Sequence, residues 1–156
     1  MKTFYAYFCK VEESVVQLFL CSVVFLVFIS AVFRTLKYPL NWATDLSMLL
    51  FAWIVFLGAD MALRNTELVN VDLLLKRFSR KNRTYLYILF NILILAFLAS
   101  LIWFGIPLAI ESSKRLFQTL EISYSWATVS VPFGAFLMII STVLKIKKAY
   151  IENLKK

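Results

Sequence analysis

Residues 84–110 read TYLYILFNILILAFLASLIWFGIPLAI, a run of 27 residues without a charged side chain. A helix that crosses a hydrocarbon core about 30 Å thick needs roughly 20 residues, so this run is long enough to span a membrane at a tilt. Charge-free runs of 20, 14 and 23 residues also occupy residues 14–33, 46–59 and 122–144. The second run reaches spanning length only by continuing through Asp60 to Arg64. Since 62% of the chain is hydrophobic, the composition indicates a lipid environment.

We therefore predict an all-α membrane protein that forms a single integral membrane domain over residues 1–156. Its four transmembrane helices are expected at about residues 14–33, 45–64, 84–110 and 122–144. The first is interpreted as a retained helix and not as a cleaved secretion signal. Glu12 and Glu13 precede it where a signal carries positive charge, and no small-residue cleavage site follows it.

The distribution of lysine and arginine predicts the orientation of these helices. Four crossings place 13 of the basic residues on the side of the two termini and four on the other side. Because short cytoplasmic connections are enriched in lysine and arginine, both termini are expected in the cytoplasm. The net charge of +8 is then mainly a signal of topology. A nucleic-acid partner is disfavoured, because the basic residues lie beside helix ends and form no continuous patch.

The connection TELVNVDLLLKRFSRKNR, residues 66–83, has the pattern of an amphipathic helix. Five apolar residues follow helical spacing and fill one arc of the helix: Leu68, Val71, Leu74, Leu75 and Phe78. We expect an interfacial helix at about residues 67–80, whose basic side chains Lys76, Arg77 and Arg80 contact lipid head groups. A solvated loop with incidental leucines is the alternative.

Several kinds of chemistry are excluded by the residues that the chain lacks. It contains no histidine, which rules out histidine-ligated haem, histidine metal sites and a histidine general base. It has neither GxGxxG nor GxxxxGKS, the two motifs typical of nucleotide binding. Cys9 and Cys21 match neither a redox pair nor a zinc pattern and are interpreted as packing residues. We predict no catalytic residue, no metal and no cofactor, and therefore no enzyme.

Asp60 is the charged residue that lies deepest in a predicted span. It precedes Arg64 by four residues, and an acid before a base at this spacing is a favourable helical pair. We predict a structural ion pair near the cytoplasmic end of the second helix. The competing hypothesis is an autonomous proton-coupled exporter of four helices, in which Asp60 carries the proton.

Small residues predict where another helix can approach closely. Gly58 and Ala62 form one pair with small-xxx-small spacing, and Ala96 and Ser100 form a second. A chain with few polar groups inside its spans and several small faces is typical of a protein that accompanies another membrane protein.

The order of residues adds a family resemblance. The segment WATDLSMLLFAWIVFLGADMALRNTELVNVDLLL, residues 42–75, resembles the small membrane subunit of the tripartite ATP-independent periplasmic (TRAP) transporters, the DctQ-like family. The matching positions are Trp42, Asp45, Trp53, Phe56, Leu57, Gly58, Ala59, Arg64, Val71, Asp72, Leu73 and Leu74. VPFGAFLMI, residues 131–139, is similar to the family's Pro-x-Gly segment in the last helix. The chain departs from the family at Asp60, where relatives have a small residue, and at Leu68, where they commonly have histidine.

This resemblance implies a non-catalytic subunit of a sodium-coupled importer in the bacterial inner membrane. A periplasmic binding protein would capture an organic anion, of the C4-dicarboxylate or sialic acid type, and a large membrane subunit would move it. The present chain would scaffold the large subunit and help to dock the binding protein. Contacts with the large subunit are expected from Trp53, Gly58, Ala59, Ala62, Pro132 and Gly134. Periplasmic docking is expected, by position, from Arg34, Lys37, Asp45, Lys114 and Arg115.

Overall fold

The structure, a computed structural model, describes the backbone of residues 2–65 and 80–154 and the side chains of residues 7–64 and 89–147. The long helices are α1 (Lys2–Thr35), α2 (Asn41–Asn65), α3 (Arg80–Glu111) and α5 (Ser130–Leu154). A one-turn helix, α4 (Ser125–Thr128), leads into α5, and a short 3₁₀ turn (Ser112–Lys114) follows α3. The predicted interfacial helix at residues 67–80 lies outside the described residues, except that Arg80 begins α3.

Four stretches are long and apolar enough to cross a membrane: Tyr7–Thr35, Asn41–Arg64, Leu89–Lys114 and Ser125–Lys147. The predicted fold class of an all-α protein with four transmembrane helices is confirmed. The helices extend beyond the charge-free runs because charged residues at helix ends can reach water while the backbone stays helical. In α1 the helix accordingly runs through Lys10 and Glu13, which are both exposed.

The long helices form an open row and do not close into a bundle. α1 packs against α2, α2 against α5, and α5 against α3, which gives the spatial order α1, α2, α5, α3. Among the described residues, α1 contacts neither α3 nor α5, and α2 does not contact α3. The inner helix α5 is more buried than the outer helix α1. In the span that contains α5, 39% of the apolar stretch is buried, against 6% in the span of α1. Much apolar surface of the described residues therefore stays exposed.

The densest packing lies where α5 meets its two neighbours. Leu98, Ala135 and Met138 form the buried centre. Partly buried side chains that surround it are Phe56, Ala59, Ile94, Leu101, Ile102 and Ile139. At Gly134 the α2 backbone comes so close that a Cβ atom would lie 2.5 Å from the Cβ of Phe56. Glycine is thus required there by the contact between α2 and α5.

Two connections on the same side of the row have defined structures. α1 ends in a Schellman motif, in which the Tyr38 N–H donates to the Phe33 carbonyl (3.0 Å) and the Lys37 N–H donates to the Arg34 carbonyl (3.1 Å). Residues 115–124 form a small hairpin in which the Phe117 N–H donates to the Ile122 carbonyl at 2.9 Å.

Candidate functional site

A buried ionic cluster joins α1 to α2. The Arg64 Nη2 atom contacts a carboxylate oxygen of Glu12 from α1 and lies 3.1 Å from Asp60 Oδ2 on its own helix. The Arg64 Nη1 atom donates to the Sγ atom of Cys9, which is also on α1. One guanidinium group therefore binds three side chains and connects two helices that are adjacent in the row.

The cluster is shielded from solvent. The side chains of Asp60, Glu12 and Arg64 are 2%, 3% and 13% exposed. Glu12 Oε1 and Asp60 Oδ1 are buried and have no hydrogen-bond partner among the described residues. Lys145 on α5 lies near the same end of α2, where its Nζ atom donates to the Leu63 carbonyl at 3.3 Å. Two carboxylates on one guanidinium nitrogen make Arg64 the residue on which this cluster depends.

The Asp60–Arg64 contact agrees in geometry with the pair that their spacing suggested, whereas Glu12 was missed as a member. Sequence reasoning used Glu12 only to argue against a cleaved signal. Its position offered a usable signal: a carboxylate two residues before an apolar helix must reach water or a cation, and Arg64 is a cation at the corresponding end of the next span. Cys9 carried no comparable signal, because neutral thiols pack as small apolar groups.

Four of the six residues expected to contact a large subunit have contacts within the chain. Trp53 donates from Nε1 to the Trp126 carbonyl at 3.1 Å, and its ring packs on Phe133 with centroids 5.6 Å apart. Ala59 packs against the buried centre. A Cβ atom at Gly105 would lie 3.2 Å from Pro132 Cδ, and Gly134 meets Phe56 as described above. These four residues therefore have contacts within the chain, and for Gly134 the contact also explains the residue type.

The other two residues, Gly58 and Ala62, face away from the neighbouring helices. A Cβ atom added at Gly58 would meet no atom of the described residues within 4 Å. Ala62 is exposed one turn later on the same helix. The pair therefore lies on an exposed face of α2. That a partner covers this face stays a prediction.

Of the residues expected to dock a periplasmic protein, four are exposed and one has a hydrogen bond within the chain. Arg34, Lys37, Lys114 and Arg115 are exposed. Asp45 accepts a hydrogen bond from the Thr119 N–H at 2.9 Å, and so ties the hairpin to the start of α2. Of the predicted lipid contacts, Lys76, Arg77 and the Arg80 side chain lie outside the described residues.

Lys37 combines exposure with an unfavourable backbone conformation. Its φ angle is 64°, in the left-handed region that glycine adopts without cost. A lysine at this C′ position costs about 1 kcal/mol relative to glycine. Glu121, in the hairpin, has a φ angle of 52°. Both residues lie on the connections between spans at one end of the row.

No metal site is apparent in residues 7–64 and 89–147. Within them, no group of three or more His, Cys, Asp or Glu residues is arranged to hold a metal ion.

Comparison with known families places these features in context. A family model described as tripartite ATP-independent periplasmic transporters, DctQ component, matches residues 23–150. The chain belongs to this family. It is accordingly a TRAP transporter small membrane subunit and a multi-pass protein of the bacterial inner membrane.

Two relatives give the extent of the similarity. The TRAP subunit is 28% identical over 111 residues to the sialic acid TRAP transporter small permease protein SiaQ of Vibrio cholerae. That match covers 71% of the chain and 64% of the relative. It is 30% identical over 100 residues to the sialic acid TRAP transporter permease protein SiaT of Haemophilus influenzae, covering 64% of the chain and 16% of the relative. The matches therefore span less than two thirds of either relative's length.

Proposed function

We propose that this chain is the non-catalytic scaffold of a sodium-coupled, binding-protein-dependent importer of organic anions. It holds a large transport subunit in the membrane and helps to dock the periplasmic binding protein. The observation that carries the proposal is the open row of helices. A row exposes apolar surface on both of its broad faces, and a second membrane protein can cover one of them.

The relatives support the partner and the substrate class. In the Haemophilus influenzae permease, the region similar to this chain is 16% of one longer polypeptide. A segment like this one is thus joined covalently to a larger permease in that protein. Both relatives carry sialic acid in their names, so we propose a carboxylated sugar or a comparable organic anion as the cargo.

The ionic cluster argues against the autonomous proton-coupled exporter. A carrier carboxylate must alternate between two sides of the membrane and release its proton on each. Asp60 is 2% exposed and held beside Arg64, so protonation would break an ion pair that also involves Glu12. A residue in this arrangement is suited to joining helices and not to carrying ions.

Reconstitution distinguishes the two functions. The tagged chain is expressed with a large TRAP permease subunit, and liposomes receive the chain alone, the permease alone or both. We expect sodium-driven uptake only when both subunits and the binding protein are present, together with co-purification of the two subunits. Transport by the chain alone that is abolished by Asp60→Asn would favour the exporter. Failure of any larger permease to co-purify would refute the scaffold.

A further inference from the structure

One face of α2 carries an apolar stripe that no described helix covers. Met48, Phe51, Val55, Gly58 and Ala62 are spaced alternately by three and four residues, which aligns them along one side of the helix. Met48, Phe51 and Val55 are 55%, 56% and 44% exposed. This α2 stripe points away from α1 and α5, which pack on the other sides of α2.

Gly58 is the residue of the α2 stripe that needs an explanation. The two other glycines, Gly105 and Gly134, are each accounted for by a close contact within the chain. Among the described residues, a Cβ atom at Gly58 meets nothing within 4 Å, and Gly58 lies inside a regular helix. Glycine is the least favourable helix residue after proline, and lipid chains gain nothing from its small size. Close approach by a helix from outside the chain accounts for it.

We propose that the α2 stripe docks a transmembrane helix of the large permease, with the two backbones closest at Gly58 and Ala62. This inference rests on the proposed function, since it needs that partner. The occupant is argued from the Haemophilus influenzae relative, in which the remaining 84% of the polypeptide is tethered to a region like this one. A neighbour joined covalently and embedded in the same membrane presents helices to this surface.

The position of α2 favours this face over the outer helices. α2 is an inner member of the row, so a helix seated on the α2 stripe lies against the middle of the subunit. The exposed face of α3 carries the large side chains of Phe97, Trp103 and Phe104, which keep an approaching backbone at a distance. That face serves as the matched comparison for the experiments.

Site-specific crosslinking in the assembled complex tests the contact directly. A photoreactive benzophenone amino acid replaces Val55 on the α2 stripe or Phe97 on α3, and the complex is illuminated in native membranes. We expect a crosslink to the large permease from position 55, with much lower yield from position 97. A crosslink from position 55 to a second copy of this chain, or to lipid alone, would overturn the proposal.

Enlarging side chains on the α2 stripe tests how strongly this contact contributes to association with the permease. Gly58→Leu and Ala62→Leu enlarge the stripe, while Ala99→Leu and Ala99→Phe enlarge an exposed small position on α3. A helix contact of about 1–2 kcal/mol corresponds to roughly tenfold in association. We therefore expect about tenfold less permease to co-purify with the α2 variants and no change with the α3 variants.

Two outcomes separate this inference from the proposed function. If the unmodified chain retains no larger permease, the proposed function fails. If the permease co-purifies with the unmodified chain but Gly58→Leu leaves its amount unchanged, only the α2 stripe is refuted. Because Gly58 faces open space, the variants should fold. Unfolding temperatures of the isolated variants that are no lower than that of the unmodified chain show that any lost association is not misfolding.

Discussion

At the scale of single residues, Arg64 is the most constrained charge in the described chain. It contacts Glu12 from α1 and Asp60 from α2, and it also donates to Cys9. Buried ion pairs add little net stability over apolar packing, but removing one partner leaves the other charge uncompensated. The arrangement therefore acts mainly as a constraint on which residues of α1 and α2 face each other.

We expect Arg64→Leu to destabilise the isolated chain by about 3–5 kcal/mol, because two buried carboxylates then lose the guanidinium that they share. The measurement is reversible unfolding in detergent micelles, followed by circular dichroism. Glu12→Gln in the Arg64→Leu background should recover part of the loss, since it removes one of the two carboxylates. Arg34→Leu removes an exposed arginine and is the control. Equal stability of Arg64→Leu and Arg34→Leu would contradict the role given to the cluster.

At the scale of helices, Gly58 and Gly134 lie in similar sequence motifs but differ in how closely another helix of the described chain approaches them. We expect Gly134→Ala to cost about 1–3 kcal/mol, because the new Cβ would lie 2.5 Å from the Cβ of Phe56 and force α2 and α5 apart. Gly58→Ala should instead leave the isolated chain unchanged or stabilise it by up to about 1 kcal/mol, since it only improves helix propensity. Unfolding of the two variants in the same micelles compares them.

The packing predicts that Gly134→Ala loses more stability than Gly58→Ala. A Gly58→Ala variant that loses more stability than Gly134→Ala would show that the contact between α2 and α5 is not as close as described. Because both substitutions replace glycine by alanine within a helix, the comparison cancels the difference in intrinsic propensity.

The helices could be predicted from sequence because the cost of placing a charge in hydrocarbon is local. Each charge-free run therefore overlaps one of the four observed spans over most of its length. The Asp60–Arg64 contact was also accessible, because residues four apart in a helix are neighbours. Glu12 contacts Arg64 only after α1 and α2 pack, 52 residues apart in sequence. Local spacing contains no information about such a contact.

The sequence did not predict in the same way which face of each helix packs within the chain. Gly58 and Gly134 both lie in family-like motifs, and small residues favour close packing wherever a helix approaches. Which helix approaches depends on the spatial order α1, α2, α5, α3. That order is set by all of the interhelical contacts together. Sequence reasoning thus grouped residues that pack within the chain with residues that face outward.

At the scale of the whole molecule, the charge distribution predicts that both termini lie in the cytoplasm. We expect Lys37→Cys and Lys114→Cys to react with a membrane-impermeant maleimide in intact spheroplasts, because both residues are exposed on the connections opposite the termini. Lys147→Cys should react only after permeabilisation. The background carries Cys9→Ser and Cys21→Ser, which remove the native thiols. Labelling of position 147 in intact spheroplasts would refute the orientation.

The proposed docking of a binding protein concerns the whole assembly, and the charges on the connections opposite the termini test it. Lys37 has a φ of 64°, where glycine would relieve about 1 kcal/mol, and such an unfavourable conformation is consistent with a function for the side chain. We expect Lys37→Glu with Arg115→Glu to slow uptake when the binding protein is limiting, because exposed charges mainly govern the rate of encounter.

Three further features of that experiment identify the cause. Saturating binding protein should restore the uptake rate, because the docked complex still transports. High salt should reduce the difference between the variant and the unmodified complex, since exposed charges are screened within about 10 Å at 0.1 M salt. Lys10→Glu, a reversal of an exposed charge at the opposite end of α1, should have no effect. Equal rates for all three complexes at limiting binding protein would exclude Lys37 and Arg115 as docking residues, because a contact that governs encounter must limit uptake under that condition.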